Sequence, residues 1–375
     1  MGAAAWRYWP EQGFWNPCRA ALPPRLARHE LVAAAWEGID ASQVWDSHAH
    51  LLGVGDSGGG IVVHPDTDSL LSPAQYARRL FVLNAGCAHD APGNVDRAYV
   101  ERLHNLLDGM RPGVKLLLFA FERVHDERGR ALPERSMFYV PDDYARDTAR
   151  AHAQYFEWAA SIHPYRPDAV ERLQRAKRDG ARAVKWLPAA MNIDPASARC
   201  APFYEALASL NVPLITHAGL ERAVLGDAQD YGNPLRLRRA LDRGVRVVVA
   251  HCASMGEARY GKNVFGDLSA MTQLNRAGPA LARTLEETGW HARLLNGSDY
   301  PLPGVMPLYS VDYLVSLGLL ERAAAPVLTE IRAHNPLLFD FVVKRHLRSN
   351  GKAFSPAVFQ TRSFFKVESE RHVRQ

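Results

Sequence analysis

The chain has 375 residues, 47% hydrophobic and 23% charged, ordinary globular proportions that exclude a disordered or collagen-like polymer. Its 45 basic and 40 acidic side chains leave a formal net charge of +5, a small surplus with no long basic tract of the kind that tracks nucleic acid. No apolar run approaches the roughly 18 to 20 residues that cross a bilayer, so the expectation is a soluble protein with neither nucleic acid nor membrane as partner.

The first residues hold Trp6, Arg7, Trp9 and Pro10 where a secretory leader needs an unbroken apolar stretch, and Trp6 stands where a myristoylation signal needs Ser or Thr. Residues 1–40 are rich in Trp and Pro without a clear period and read as an ordered N-terminal arm. Its Trp6, Trp9 and Trp15 are a natural subunit contact for a homo-oligomer. Cys18, Cys87, Cys200 and Cys252 are scattered with no CxxC spacing, the pattern of free thiols in a reducing cytosol. A cytoplasmic location is expected.

From residue 41 to 348 short apolar or β-branched runs alternate with longer amphipathic stretches, the pattern of repeated βα units around a parallel sheet. Eight strands are expected: Gln43 to Ser47, Val114 to Phe121, Tyr155 to Ile162, Ala181 to Leu187, Val212 to His217, Val245 to His251, Asn263 to Asp267 and Arg293 to Asn296. Helices between them carry capping punctuation, such as Pro167-Asp168 opening and Gly180 closing one, and Asn233-Pro234 opening and Gly244 closing another. Strand then helix, eight times, predicts a distorted (β/α)8 barrel with insertions after strands 1 and 2. The first insertion, Leu51 to Arg111, contains the Gly-rich stretch Gly53 to Gly60; the second, Val124 to Asp143, is rich in charge, Pro and Gly. Both follow strand ends, the face on which such barrels build their sites. Residues 349–375 read as a polar tail.

Strand 1 ends in Asp46-Ser47-His48-Ala49-His50. Alternate residues of a strand share a face, so His48 and His50 can reach one ion together. Alone this is a modest signal, equally met by two surface histidines. Three later strands also end in a potential ligand after a buried run: His217 after Val212 to Thr216, His251 after Val247 to Ala250, and Asp299 after Leu294 to Ser298. Singly each is an ordinary core histidine or capping carboxylate. Jointly, at one barrel mouth, they make a His-rich site with one carboxylate, suited to zinc or another divalent transition metal.

The set resembles the amidohydrolase superfamily, its amidohydrolase-2 branch in particular. The matching pieces are Asp46-Ser47-His48-Ala49-His50, Ala183-Val184-Lys185-Trp186-Leu187-Pro188, Pro213-Leu214-Ile215-Thr216-His217-Ala218-Gly219, Val249-Ala250-His251-Cys252, Gly297-Ser298-Asp299-Tyr300-Pro301, and Asn335-Pro336 opening the last helix. The resemblance implies one or two divalent ions, zinc first, with iron or manganese as alternatives. His48, His50 and Asp299 would hold the more buried ion, His217 would be a further ligand, and His251 either a ligand or a substrate-polarising group. Lys185 lies among apolar strand residues, where an unpaired ammonium costs several kcal/mol. It is either carboxylated and bridging two metals, as in binuclear members, or ion-paired, for example with Glu122.

Asp299 is the expected general base, its proton affinity held low by the cation. Arg166, in His163-Pro164-Tyr165-Arg166, would meet an anionic substrate or else pair with Asp168; Glu221 would bind a ligand or begin a helix. Cys252 is expected as a packed thiol. The leading expectation is a hydrolase in which metal-activated water attacks an ester, lactone or amide carbonyl of a small molecule. A decarboxylase or hydratase on the same ligands, a dinuclear iron or manganese oxygenase, and a non-catalytic partner subunit are the alternatives.

Overall fold

The computed structural model describes residues 13–220, 224, 226, 228–253 and 263–366. All eight expected strands form: β1 Trp45–His50, β2 Lys115–Phe119, β3 Phe156–Ala159, β4 Val184–Trp186, β5 Leu214–Thr216, β6 Val247–Val249, β7 Val264–Asp267 and β8 Leu294–Leu295. They pair in parallel in the orders β1-β2-β3 and β8-β7-β6-β5-β4. The two sheets are joined by a bridge from Ala160 to Val184 and another from Ala49 to Tyr300. Main-chain bonds Ser47 N to Asn296 O at 3.0 Å and Asp299 N to His48 O at 2.8 Å close β8 on β1. This is the distorted (β/α)8 barrel.

Strand alternation sorts the core into two layers. Leu116 and Leu118 of β2 join the large cluster between sheet and helices, while Leu117 and Phe119 face the barrel axis. With them inside lie Trp45, Ala159, Ala183, Ile215, Val248 and Leu295. Phe365 joins this inner layer, so the segment beyond Ser349 is not polar surface throughout: Phe354, Val358, Phe359 and Phe365 are buried. These apolar side chains pack on the barrel, and the buried Thr361 hydroxyl anchors the segment by donating to Trp45 O.

The insertions are ordered, and each fixes the other. Val62–Val63 from the first pairs antiparallel with Phe138–Tyr139 from the second, Val62 opposite Tyr139. The Gly-rich loop is held by the buried carboxylate of Asp96, which accepts from Val54 N at 2.7 Å, Gly55 N at 3.1 Å and Ser57 N at 3.2 Å. Asp56 in turn accepts from Val95 N and Asp96 N at 2.7 and 3.1 Å, capping helix Val95–Asp108 from outside its own sequence. A Cβ at Gly53 would lie 2.2 Å from Asp96 Oδ1, so that approach needs glycine.

The arm packs back on helix Pro73–Ala85: Asn16 N donates to Asn84 Oδ1 at 2.7 Å, and Trp15 stacks on Phe81 with centroids 5.2 Å apart. This brings Cys18 to Cys87, Cα to Cα 5.5 Å, and the two form a disulfide. The expectation of four free thiols is therefore corrected; Cys200 and Cys252 are free. Partners 69 residues apart carry no local spacing signal, because only the folding of the arm makes them neighbours. Trp6 and Trp9 lie outside the described residues. Among the described residues no helix is long and apolar enough to cross a membrane.

Candidate metal centre

Three different backbone devices aim the polar side chains into the barrel. Alternation suffices for two: Ala183 faces inward, hence Lys185 also does, and Ile215 faces inward, hence His217. On β1 the register against β2 shifts between Asp46 and Ala49. Trp45 faces the axis while Ala49 packs in the outer layer, so the irregularity turns His48 and His50 inward, above Trp45. The third device is a left-handed backbone, found at His251 (φ 57°) and Asp299 (φ 64°). Such φ values are uncommon outside glycine and persist where the surroundings impose them, often at functional sites.

The result is a convergence on one carboxylate. Asp299 Oδ1 lies 3.1 Å from His50 Nε2 and 3.3 Å from His48 Nε2, and its Oδ2 lies 3.9 Å from His251 Nε2. One ligand atom from each of His48, His251 and Asp299 falls within 4.8 Å of the others, and all three residues are buried. The far sides of the rings are engaged elsewhere. His48 Nδ1 lies 2.9 Å from Asp267 Oδ2, and His251 Nδ1 lies 2.9 Å from Ser269 O. A carbonyl and a carboxylate accept only, so both Nδ1 atoms carry the proton and both Nε2 atoms present lone pairs to the centre.

The electrostatics keep both rings neutral. Burial, with Lys185 adding to it, lowers His48 to about 4, and burial lowers His251 far below the ordinary imidazole value. Burial alone would raise Asp299, but His48, His251 and His50 hold its carboxyl well below the usual carboxylate range. Asp267 is likewise held ionised against its burial, chiefly by His48. Neutral imidazoles around an ionised aspartate are the donor set a divalent transition metal requires. The residues present therefore fit such an ion.

The other expected site residues separate into those that reach this centre and those that do not. His217 borders the same cavity, its ring 5.1 Å from that of His251. Lys185 Nζ lies 3.0 Å from His48 Nε2 and 4.8 Å from the centroid of Phe119. Glu122, the carboxylate considered as its partner, meets Arg166 at 3.5 Å, and the cations acting on it are Arg166, Arg172 and Arg123. Arg166 turns its guanidinium to Asp168, at 2.8 and 2.9 Å, and does not border the cavity. Glu221 lies outside the described residues. Cys252 Sγ faces Asp267 O at 3.2 Å, and burial pushes its thiol up, so it is packed and inert.

Several residues of the centre were not singled out in the sequence. Asp267 ends β7 just as the other candidates end their strands, so the same signal was available for it. Asp46 accepts from His48 N at 3.1 Å and Ser298 N at 2.9 Å, locking β1 to the β8 exit. A Cβ at Gly297 would fall 2.6 Å from His48 Cβ, so the motif glycine lets the two segments meet. Gln273, Asn275 and Arg276 rim the cavity, whose volume is ≈ 260 Å³. They follow β7 in a loop that no periodicity marks.

Among solved structures, the chain is similar to Metarhizium anisopliae IDCase in its apo form, with 13% identity, 88% of this chain and 98% of that one covered, and a TM-score of 0.50. An uncharacterized TIM-barrel protein from Bordetella bronchiseptica gives 16% identity, coverage of 73% and 91%, and a TM-score of 0.47. The 5-carboxyvanillate decarboxylase from Sphingomonas paucimobilis gives 13%, 77%, 98% and 0.45 in the same order. No curated protein sequence matches the chain. The profile of one family, however, matches residues 45–336, from the first barrel strand to the opening of the last helix. The chain belongs to the amidohydrolase family.

Proposed function

We propose that the protein is a metal-dependent hydrolase of an ester, lactone or amide carbonyl in a small molecule. The observation that carries this reading is the convergence of three imidazole Nε2 atoms on Asp299, with the Nδ1 sides of His48 and His251 held by Asp267 and Ser269. His48, His50, His217, His251 and Asp299 would hold the ion, zinc first, with iron or manganese as alternatives. A divalent ion there supplies a Lewis acid that polarises a carbonyl and makes water a better nucleophile.

The chain's own residues do the rest. Because His251 Nδ1 donates to Ser269 O, its Nε2 is a lone pair and acts as a ligand, so it is not the hydrogen-bond donor that would polarise a substrate carbonyl. Asp299 is kept ionised by its histidines and accepts the proton of the attacking water at a carboxylate oxygen, then returns it to the leaving group. Apolar walls from Leu187, Leu302 and Leu308 keep bulk water from competing.

A decarboxylase on the same ligands is the second reading, favoured by the cation of Arg276, which borders the cavity close enough to act on the His251 ring. The two readings part in a single assay. Zinc-loaded protein is incubated with a panel of lactones, esters and aromatic carboxylic acids, following acid release and carbon dioxide. Acid release that falls by about 10²- to 10⁴-fold in Asp299→Asn is expected; carbon dioxide release would transfer the assignment to the second reading. Protein without a stoichiometric divalent ion, unaffected by His48→Ala, sinks both.

Self-association through the N-terminal arm, where Trp15 is half exposed, belongs to the same proposal. So does a cytoplasmic location. The Cys18–Cys87 disulfide weighs against the latter, because such bonds are rare where thiols are kept reduced.

A further inference from the structure

The cavity at the imidazoles adjoins a second one of ≈ 160 Å³. Leu52, Val82, Phe138 and Val224 border both. A side chain that faces two cavities leaves no further layer between them. The second compartment is built outside the barrel strands, from the two insertions, helix Pro73–Ala85 of the first included, and from Val224 beyond β5, with Val54, Val63, Leu83 and Met137 completing its apolar wall. Its charged members stand on the helix, and one is already neutralised: Arg79 pairs with Asp68 at 2.7 Å. The walls are fixed before any ligand arrives, through the bonds of Asp96 to the Gly-rich loop and the pairing of Val63 with Phe138.

A preformed apolar compartment beside a polar reaction centre binds the part of a ligand that water expels. We propose that the substrate carries an apolar arm, alkyl or aryl, which passes the junction at Leu52, Val82, Phe138 and Val224 and lies against Val63, Leu83 and Met137. This rests on the reading of the barrel mouth as a metal centre, where the reacting head group sits. It assigns to the two insertions the selection of substrate by its distal half, and it excludes small, fully polar compounds as the preferred class.

The test uses straight-chain alkyl hydroxamates from two to eight carbons, whose head chelates the ion, titrated calorimetrically into the zinc-loaded full chain. Each added methylene is expected to lower Kd by up to about fourfold until the compartment is filled. Gln75 and Thr67 line the second cavity and not the one at the imidazoles, so Gln75→Trp and Thr67→Trp, which place an indole there, should abolish the gain of the longer members and leave acetohydroxamate affinity unchanged. That unchanged affinity also shows that the variants are folded. A Kd independent of chain length, or long members insensitive to both substitutions, overturns the apolar arm while the metal centre stands. Acetohydroxamate that fails to bind, or binds equally to His48→Ala, overturns the metal centre and the proposal with it.

Discussion

Lys185 Nζ stands 3.0 Å from His48 Nε2, the nitrogen whose lone pair is turned to the centre by the bond of Nδ1 to Asp267. Both side chains are buried. A lysine ammonium at that distance would repel a divalent ion bound by His48, since two cations in a low-dielectric interior cost several kcal/mol.

We therefore expect Lys185 to lose its positive charge in the metal-loaded protein, as carboxylation would achieve. Protein loaded with zinc in ¹³C-bicarbonate should show a carbamate carbon by NMR, and Lys185→Met should bind metal more weakly and lose that signal. Tighter metal binding by Lys185→Met would show that the lysine stays an ammonium.

Asp267 does not line the cavity at the imidazoles and acts through its neighbours, accepting from His48 Nδ1 at 2.9 Å, His251 N at 3.0 Å and Ser269 N at 3.1 Å. Groups in that position typically tune metal affinity by 10- to 100-fold. Asp267→Asn should weaken zinc binding by roughly that factor, measured by competition with a chromophoric chelator. An unchanged affinity would separate the ring's orientation from its role.

Asp142 accepts from Ser161 N at 2.8 Å, and burial, only partly offset by that bond and by Arg172, raises its carboxyl from 3.8 to about 6. Between those two pH values the folded state holds a proton that the unfolded chain has lost, so this contribution to stability is full below pH 4 and disappears as pH rises through 6. Asp142→Asn keeps the acceptor and removes the titration. Across that window the wild type should lose up to about 3 kcal/mol relative to the variant, read from urea midpoints at both ends. Parallel pH profiles for the two proteins would contradict this.

The disulfide between Cys18 and Cys87 spans 69 residues, and closing a loop of that length in the unfolded chain is worth roughly 4 kcal/mol. Cys18→Ser should lower the melting temperature by several degrees, and a reductant should have the same effect on the wild type and none on the variant. If reductant leaves the wild-type melting temperature unchanged, the two thiols are not joined in the isolated protein.

What the linear sequence determined was the set of strands and the chemistry at their ends. Period-two apolar runs followed by His or Asp are local patterns, and a parallel barrel brings every strand's end to the same rim, so His217 and Lys185 followed from alternation alone. Tertiary structure decided the rest, because the deciding contacts join residues far apart. The register shift that turns His48 inward is set against β2, the left-handed turns at His251 and Asp299 are imposed by neighbours, and Asp267 acquires its role only when barrel closure brings the end of β7 within reach of His48 on β1. Arg166 took a local partner, Asp168, two residues away, which satisfied it before any ligand could. The pairing of Val62–Val63 with Phe138–Tyr139, and of Cys18 with Cys87, joins segments that share no sequence signal, since a contact's energy depends on proximity and the chain encodes proximity only through the whole fold.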